Sequence, residues 1–349
     1  MRFPRLKAPS HLTAAYYHCV SRVVDRRFVL GDDEKVRFLH FVRFYERFCK
    51  VRVVAYCLMS NHFHLLVEVP KRPDEQPAEA WLIEHVRRCY GENTAFALEV
   101  NLAQTRKQAG EEAAQKMLAG WLARMWDVSA FMKILKQRFS QWFNKNSKRR
   151  GTLWEDRFRS ILVESGAALG TMAAYIDLNP VRAGMVKDPA DYRWSSYGAA
   201  MGGTKAARSG LQNVVSTVVN GEPQDAKEGK GMTGGRHWME QYRVWLFGSA
   251  EEIKDGRSGR TLRKGLGRES IDAVLRKAGK LKRWEMLRCR LRYMTRGGAI
   301  GSKAFVETIF NAERGRFDPD RQAGARTPQG GDAVWTGLRT LRMPRPTGT

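Results

Sequence analysis

Residues 13–22 (TAAYYHCVSR) alternate and carry aromatic and β-branched side chains, the period-two signature of a strand. From 32 to 49 the period lengthens. Val36, Leu39, Phe41, Val42 and Tyr45 form a helical stripe, behind Asp32 or Asp33 as cap. VRVVAYCLM (51–59) and HFHLLVEVP (62–70) are two further strands. The Ser60-Asn61 break between them predicts a hairpin, which Pro70 and Pro73 close. Residues 71–126 are polar and alanine-rich and read as a helix plus an insertion. Asp127 caps an amphipathic basic helix running to Asn146, 159–164 (RSILVE) is a short strand, and 167–178 is a helix. Asn179-Pro180 ends that helix, because proline disfavours the helical conformation in its predecessor. The order β-α-β-β-α-β-α predicts an α+β sandwich: one antiparallel sheet with helices packed on one face.

The pattern weakens after residue 198. A Gly/Ser/Thr-rich stretch over 199–236 predicts a linker, 237–317 reads as a basic helical domain with Ser302 as an N-cap, and 318–349 is a Pro-, Gly- and Arg-rich tail expected to be disordered. Short helices around a glycine turn in 237–317 fit a helix-turn-helix unit that contacts DNA, and equally a trihelical bundle that binds nothing.

The 349-residue chain has 61 Lys and Arg against 36 Asp and Glu, a formal net charge of +25. Such an excess points to a polyanionic partner. It is concentrated: residues 254–296 hold fifteen Lys and Arg against four acidic residues, and 121–165 hold ten against four. Aromatic residues interleave with these charges (Phe139, Trp142, Phe143, Trp154, Phe158, Trp284, Tyr293), a mixture suited to phosphate contact with base stacking, although a basic run is also the ordinary composition of a solvated helix face. The five cysteines contain no CxxC pair, which argues against a zinc ribbon or a disulfide scaffold and fits a reducing compartment. The basic start MRFPRLKAPS lacks a following apolar stretch, and no apolar run is long enough to span a bilayer, so a cytoplasmic protein without membrane contact is expected.

His62-Phe63-His64 is the sharpest local signal. On a strand, residues i and i+2 share a face, so two imidazoles point one way and Phe63 the other. Such a pair can chelate one divalent ion if a third ligand comes from elsewhere, or be two unrelated histidines on a half-exposed strand. Tyr175 and Asn179 lie one helical turn apart, which can place a phenol beside an amide oxygen, or simply pack a tyrosine and end a helix.

Five segments taken together resemble the single-tyrosine HUH transposases, most closely their REP-associated branch: YHCVSR (17–22), NHFHLLVEVP (61–70), KQRFSQWFN (136–144), GTLWEDRFRSILVE (151–164) and YIDLNPVRAGMVKDPADYRWSSY (175–197). The resemblance covers residues 13–200, and 1–198 is the expected catalytic domain. The C-terminal run from GRESIDAVLRKAGK to AFVETIF resembles extensions on longer members of that branch. The resemblance implies a ferredoxin-like sandwich, usually a dimer, in which His62 and His64 hold Mg2+ or Mn2+, Asn179 supplies a third ligand, and Tyr175 attacks a DNA phosphodiester. It implies nicking and rejoining of single-stranded DNA at hairpin repeats through a 5′-phosphotyrosine.

A covalent intermediate conserves the energy of the broken bond, and the absence of a GxxxxGK[ST] motif agrees with a reaction that uses no nucleotide cofactor. Candidate phosphate contacts are Arg138, Lys148, Arg149, Arg150, Arg157, Arg159 and Arg182, with Lys282, Arg283, Arg288 and Arg292 in the C-terminal run. Arg157 and Arg159 serve equally as structural ion-pair partners. His18 either supports the site from behind the ligands or packs, with packing favoured; Trp194 and Tyr197 are expected to pack in the core, and Asp177 to point into solvent. The competing readings are a domesticated, non-catalytic DNA-binding protein and an RNA-binding module, the latter disfavoured because no RNP-type aromatic run lies on the strands.

Overall fold

Strand alternation decides which side chains meet which helix layer. In β1 (Ala14–Arg22), Cys19 and Ser21 point to one face of the sheet and His18, Val20 and Arg22 to the other. The computed structural model describes residues 5–220, 237–247, 287, 291–328, 335 and 337–344. After β1 come α1 (Asp32–Cys49), β2 (Arg52–Leu58), β3 (His62–Pro70), α2 (Glu79–Tyr90), α3 (Glu92–Leu122), α4 (Val128–Asn146) and β4 (Arg159–Val163). The four strands lie in the order β2-β3-β1-β4, every neighbouring pair antiparallel. With α1 and α4 as crossover helices, this is the ferredoxin-like arrangement.

Those two helices pack together on the face to which Phe63 points. The Phe63 ring lies 4.6 Å from Phe38 of α1, which meets Phe139 of α4 edge-on at 5.0 Å. All three rings are buried, and truncating such a ring to alanine costs about 3–5 kcal/mol. Asp127 caps α4 as expected, its carboxylate accepting from Ala130 N at 2.7 Å. Helix α1 differs. Gly31 precedes it, Glu34 reaches back to accept from the Gly31 N–H at 3.0 Å, and Asp32 instead accepts from Trp194 Nε1 at 2.9 Å. The 71–126 segment is a helical arm of α2 and α3. It breaks at Gly110, whose φ of +83° suits glycine, and Arg87 laces it together through Glu84, Glu92 and Glu99.

The second face of the sheet is covered as well. Helices α5 (Ala167–Asp177), α6 (Asn179–Arg182), α7 (Ser196–Met201), α8 (Lys205–Asn220) and α9 (His237–Phe247) follow β4, and α5 and α8 lie against β2. Gly210 of α8 makes that approach possible: a Cβ there would stand 2.5 Å from Val54 O. So 205–220, within the expected linker, is a helix. An amphipathic helix built from Ala, Gly, Ser and Val has the composition of a loop. The rest of that stretch, 221–236, lies outside the described residues.

The C-terminal residues also depart from a separate helical domain. After α10 (Tyr293–Arg296), β5 (Ala299–Gly301) pairs parallel with β4; α11 (Lys303–Ala312), β6 (Ala325–Arg326) and β7 (Arg339–Leu341) follow. The sheet therefore runs β2-β3-β1-β4-β5-β7-β6, and part of the expected tail forms two of its strands. Strands of two or three residues are too short to display a period. Ser302 does cap α11, accepting from Phe305 N at 3.1 Å. Among the described residues, no helix is long and apolar enough to cross a membrane.

Candidate active site

Register places the histidines. Antiparallel pairing sets Arg22 opposite His62 and Val20 opposite His64, and β4 sets Arg159 opposite Val20. Side chains directly opposite share a face, so His62, His64, Val20 and Arg159 lie together, away from Phe63. The His62 and His64 rings stand 5.1 Å apart at 74°. His18 shares this face, diagonal to His64, and the rings stack at 5.1 Å.

Hydrogen bonds fix which nitrogen of each ring carries the proton. His18 Nδ1 lies 2.8 Å from Met294 O and therefore donates, since a carbonyl only accepts. Complete burial pushes the His18 pKa down to about 3, so the ring is neutral and its Nε2 accepts. The partner, at 2.9 Å, is His64 Nδ1, which must donate. His64 is 2% exposed and held well below the ordinary histidine range by burial, then by His18, His62 and Arg182, so its lone pair stands on Nε2. His62 is arranged alike. Asn61 Nδ2 donates to Arg26 O at 3.0 Å, which turns its Oδ1 to His62 Nδ1 at 2.6 Å. Nδ1 donates, and in the neutral ring Nε2 holds the lone pair. His18, for which packing is the favoured of two readings, thus takes the other one and joins the site from behind His64. The signal for it in the sequence was its parity with Val20 and Arg22 on a strand next to the histidines.

Tyr175 and Asn179 come from the helices over this face. Tyr175 is 1% exposed, with the Arg182 guanidinium 3.8 Å from its ring centroid. Arg182 donates to Tyr175 O and Leu287 O, each at 2.6 Å, and its charge reaches His18 and His64. Arg182 therefore braces the tyrosine helix with its charge felt at His18 and His64. Asn179 donates Nδ2 to Ile176 O at 2.9 Å, tying the end of α5 and leaving Oδ1 as the acceptor end of the amide. Asp177, expected in solvent, is fully buried: its carboxylate accepts from Tyr242 OH at 2.6 Å, Tyr197 N at 2.9 Å and Ser196 Oγ at 3.0 Å. Burial raises its pKa to about 6 against those hydrogen bonds. It pins α5 to α7 and α9, so elements packed later in the chain cover what the helix period alone leaves open. Trp194 and Tyr197 are buried, as expected.

The candidate phosphate contacts divide by place. The Val23–Trp154 bridge, with Val24 N donating to Leu153 O and Glu155 N to Arg22 O, holds the loop after α4 against the end of β1 that faces His62. Lys148, Arg150 and Arg157 on that loop are exposed, and Arg149 donates to Thr152 O at 2.8 Å. Arg159 is exposed at the start of β4. Arg138 lies further along α4, beside Tyr45. Arg292 is exposed beside α10, and Lys282, Arg283 and Arg288 lie outside the described residues. Of the aromatic residues read as stacking platforms, Phe139, Phe143, Trp154 and Phe158 are core. Trp142 and Tyr293 are half-buried, and Trp284 lies outside the described residues.

Among the described residues, no three His, Cys, Asp or Glu side chains form a metal-holding group. Two imidazoles whose Nδ1 atoms are engaged by hydrogen bonds present Nε2 as the ligating atom and, completed by neutral or substrate oxygens, nonetheless suit a divalent cation that binds together with a phosphate. The donor set fits such an ion.

Residues 11–77, which span β1 to β3 and so both His62 and His64, match the family model described as "Transposase IS200 like". No curated protein matches the chain. Among solved structures, the chain is similar to one described as "Structure of the REP associates tyrosine transposase bound to a REP hairpin", at 14% identity and a TM-score of 0.37, covering 67% of this chain and 100% of that one.

Proposed function

We propose that the protein is a DNA strand transferase in which Tyr175 is the nucleophile and His62, His64 and Asn179 hold a Mg2+ or Mn2+ ion. The observation that carries this reading is the pair of hydrogen bonds at Nδ1 of His62 and His64, which leaves Nε2 of each ring as the atom to meet a cation. The match over residues 11–77 supports the reaction class. A divalent ion held by these residues would polarise the scissile phosphate and stabilise charge on its oxygens. The chain's own residues do the rest. Helix α5 aims Tyr175, while Arg159 and the exposed Lys148, Arg150 and Arg157 hold the phosphates on either side. The phenol oxygen bonds to phosphorus, the bond from phosphorus to the 3′-oxygen breaks, the phenol loses its proton and the 3′-oxygen gains one. Attack by a second 3′-hydroxyl reverses these bond changes and frees Tyr175.

Arg182 lies over the Tyr175 ring, and a DNA phosphate is the stronger partner for a guanidinium, so strand binding draws Arg182 away and uncovers the phenol. Hairpin repeats as substrate, and pairing of the chain as a dimer, rest on the likeness of 13–200 to the REP-associated transposases. A non-catalytic DNA-binding role is the second reading, favoured by the burial of Tyr175. The deciding experiment incubates the protein with labelled hairpin-bearing single strands and Mn2+. A denaturant-resistant adduct is expected, absent after chelation and absent from Tyr175→Phe. Binding without an adduct supports the second reading.

A further inference from the structure

We propose that Phe28, which directly follows Arg26 and Arg27, is a stacking platform for an unpaired base of the DNA strand entering beside His62; this rests on the strand-transferase reading above. The buried aromatics of α4 and of the loop after it cannot stack on a base without opening the core. Among the described residues, the exposed large aromatics are Phe28, Trp81 and Phe96, and the last two lie on the helical arm of α2 and α3. Phe28 is 80% exposed and lies at the end of the sheet where His62 begins.

Its position is held from both sides. Val23 N donates to Asn61 O and Leu30 N to Ser60 O, each at 2.9 Å, and Asn61 Nδ2 donates to Arg26 O. Asn61 is also the residue that orients His62, so the platform and the candidate ligand share one anchor. Within the loop, Asp25 and Arg26 both have φ of +56°, an unfavourable conformation for side-chain-bearing residues that those bonds maintain. Arg26 and Arg27 are exposed on the same turn. An exposed apolar ring next to two exposed arginines on the same turn matches a single strand, whose bases need a π-face and whose phosphates need cations.

The test measures binding of a fluorescein-labelled oligothymidylate to the full-length chain across a salt series. Phe28→Ala is expected to weaken binding about 5- to 150-fold, the loss of one base–aromatic stack, with Phe28→Trp restoring it. The slope of log K against log salt should stay unchanged for Phe28→Ala and fall by about 1.4 for Arg26→Gln combined with Arg27→Gln. Because the ring is exposed, thermal unfolding of Phe28→Ala should match the parent. Wild-type affinity in Phe28→Ala overturns the proposal. So does a change in sedimentation without a change in strand binding, which would make Phe28 a contact between copies. If no Tyr175 adduct forms yet Phe28→Ala still weakens binding, the platform stands and the strand-transferase reading falls. An adduct with Phe28→Ala silent gives the reverse.

Discussion

Replacing His18 tests the hydrogen-bonded chain from Met294 O to His64. In His18→Leu, a side chain of similar bulk keeps the core filled but removes two buried hydrogen bonds, at 2.8 and 2.9 Å. Each orphaned polar group, Met294 O and His64 Nδ1, costs about 1–3 kcal/mol, so urea unfolding should show a loss of about 2–6 kcal/mol. The second effect concerns the ring itself. With no acceptor opposite Nδ1, His64 is free to carry its proton on Nε2, the atom that must offer a lone pair. Loss of an equivalent orienting partner in metal sites weakens affinity about 10- to 100-fold. Calorimetric titration with Mn2+ should show a fall of that size in His18→Leu. His18→Gln, whose amide oxygen can accept from Nδ1, should recover most of it. Nitrogen-15 spectra of the metal-free protein should report His64 as the Nδ1–H tautomer in the parent and a mixture in His18→Leu. Unchanged Mn2+ affinity and an unchanged tautomer in a folded His18→Leu protein would refute the reasoning.

Asp177 gives a pH signature. The folded state holds the proton up to about pH 6, whereas an unfolded aspartate titrates near 3.8, so stability from this group is present in acid and is lost as pH rises from about 4 to about 6. Relative to Asp177→Asn, the parent should lose about 3 kcal/mol across that window in denaturant titrations, and a flat difference contradicts the assignment. Arg182→Ala removes the guanidinium from the Tyr175 ring; tetranitromethane should nitrate Tyr175 faster in this variant without DNA, and an equal rate would mean that Arg182 does not cover it. Arg150→Gln with Arg157→Gln should lower the salt slope of single-strand binding by about 1.4, and a parental slope removes both from the phosphate contacts.

The sequence carried the first four strands, both crossover helices and the shared face of His62 and His64, because each rests on a local period that a few residues display. The chain of protons behind His64 was not legible. Its members are 46 and 276 residues apart along the chain, and only the sheet register and the return of α10 bring them together. Asp177 misled for the same reason: helical spacing turns it away from Tyr175, and what occupies that side is decided by α7 and α9. The aromatics of α4 misled differently. Their interleaving with lysine and arginine is that of an amphipathic helix whose rings face the sheet and whose charges face water, and composition cannot separate that from a stacking surface. β5 to β7 are too short to have a period at all.

The central claim is that the phenol of Tyr175 becomes covalently joined to DNA. Loss of the adduct in Tyr175→Phe alone is open to a folding effect, since the residue is buried. The most direct measurement is peptide mass spectrometry of the wild-type adduct after proteolysis and nuclease trimming. The account predicts a nucleotide mass on the peptide containing Tyr175, fragmenting at that residue; a nucleotide carried by any other side chain would contradict it.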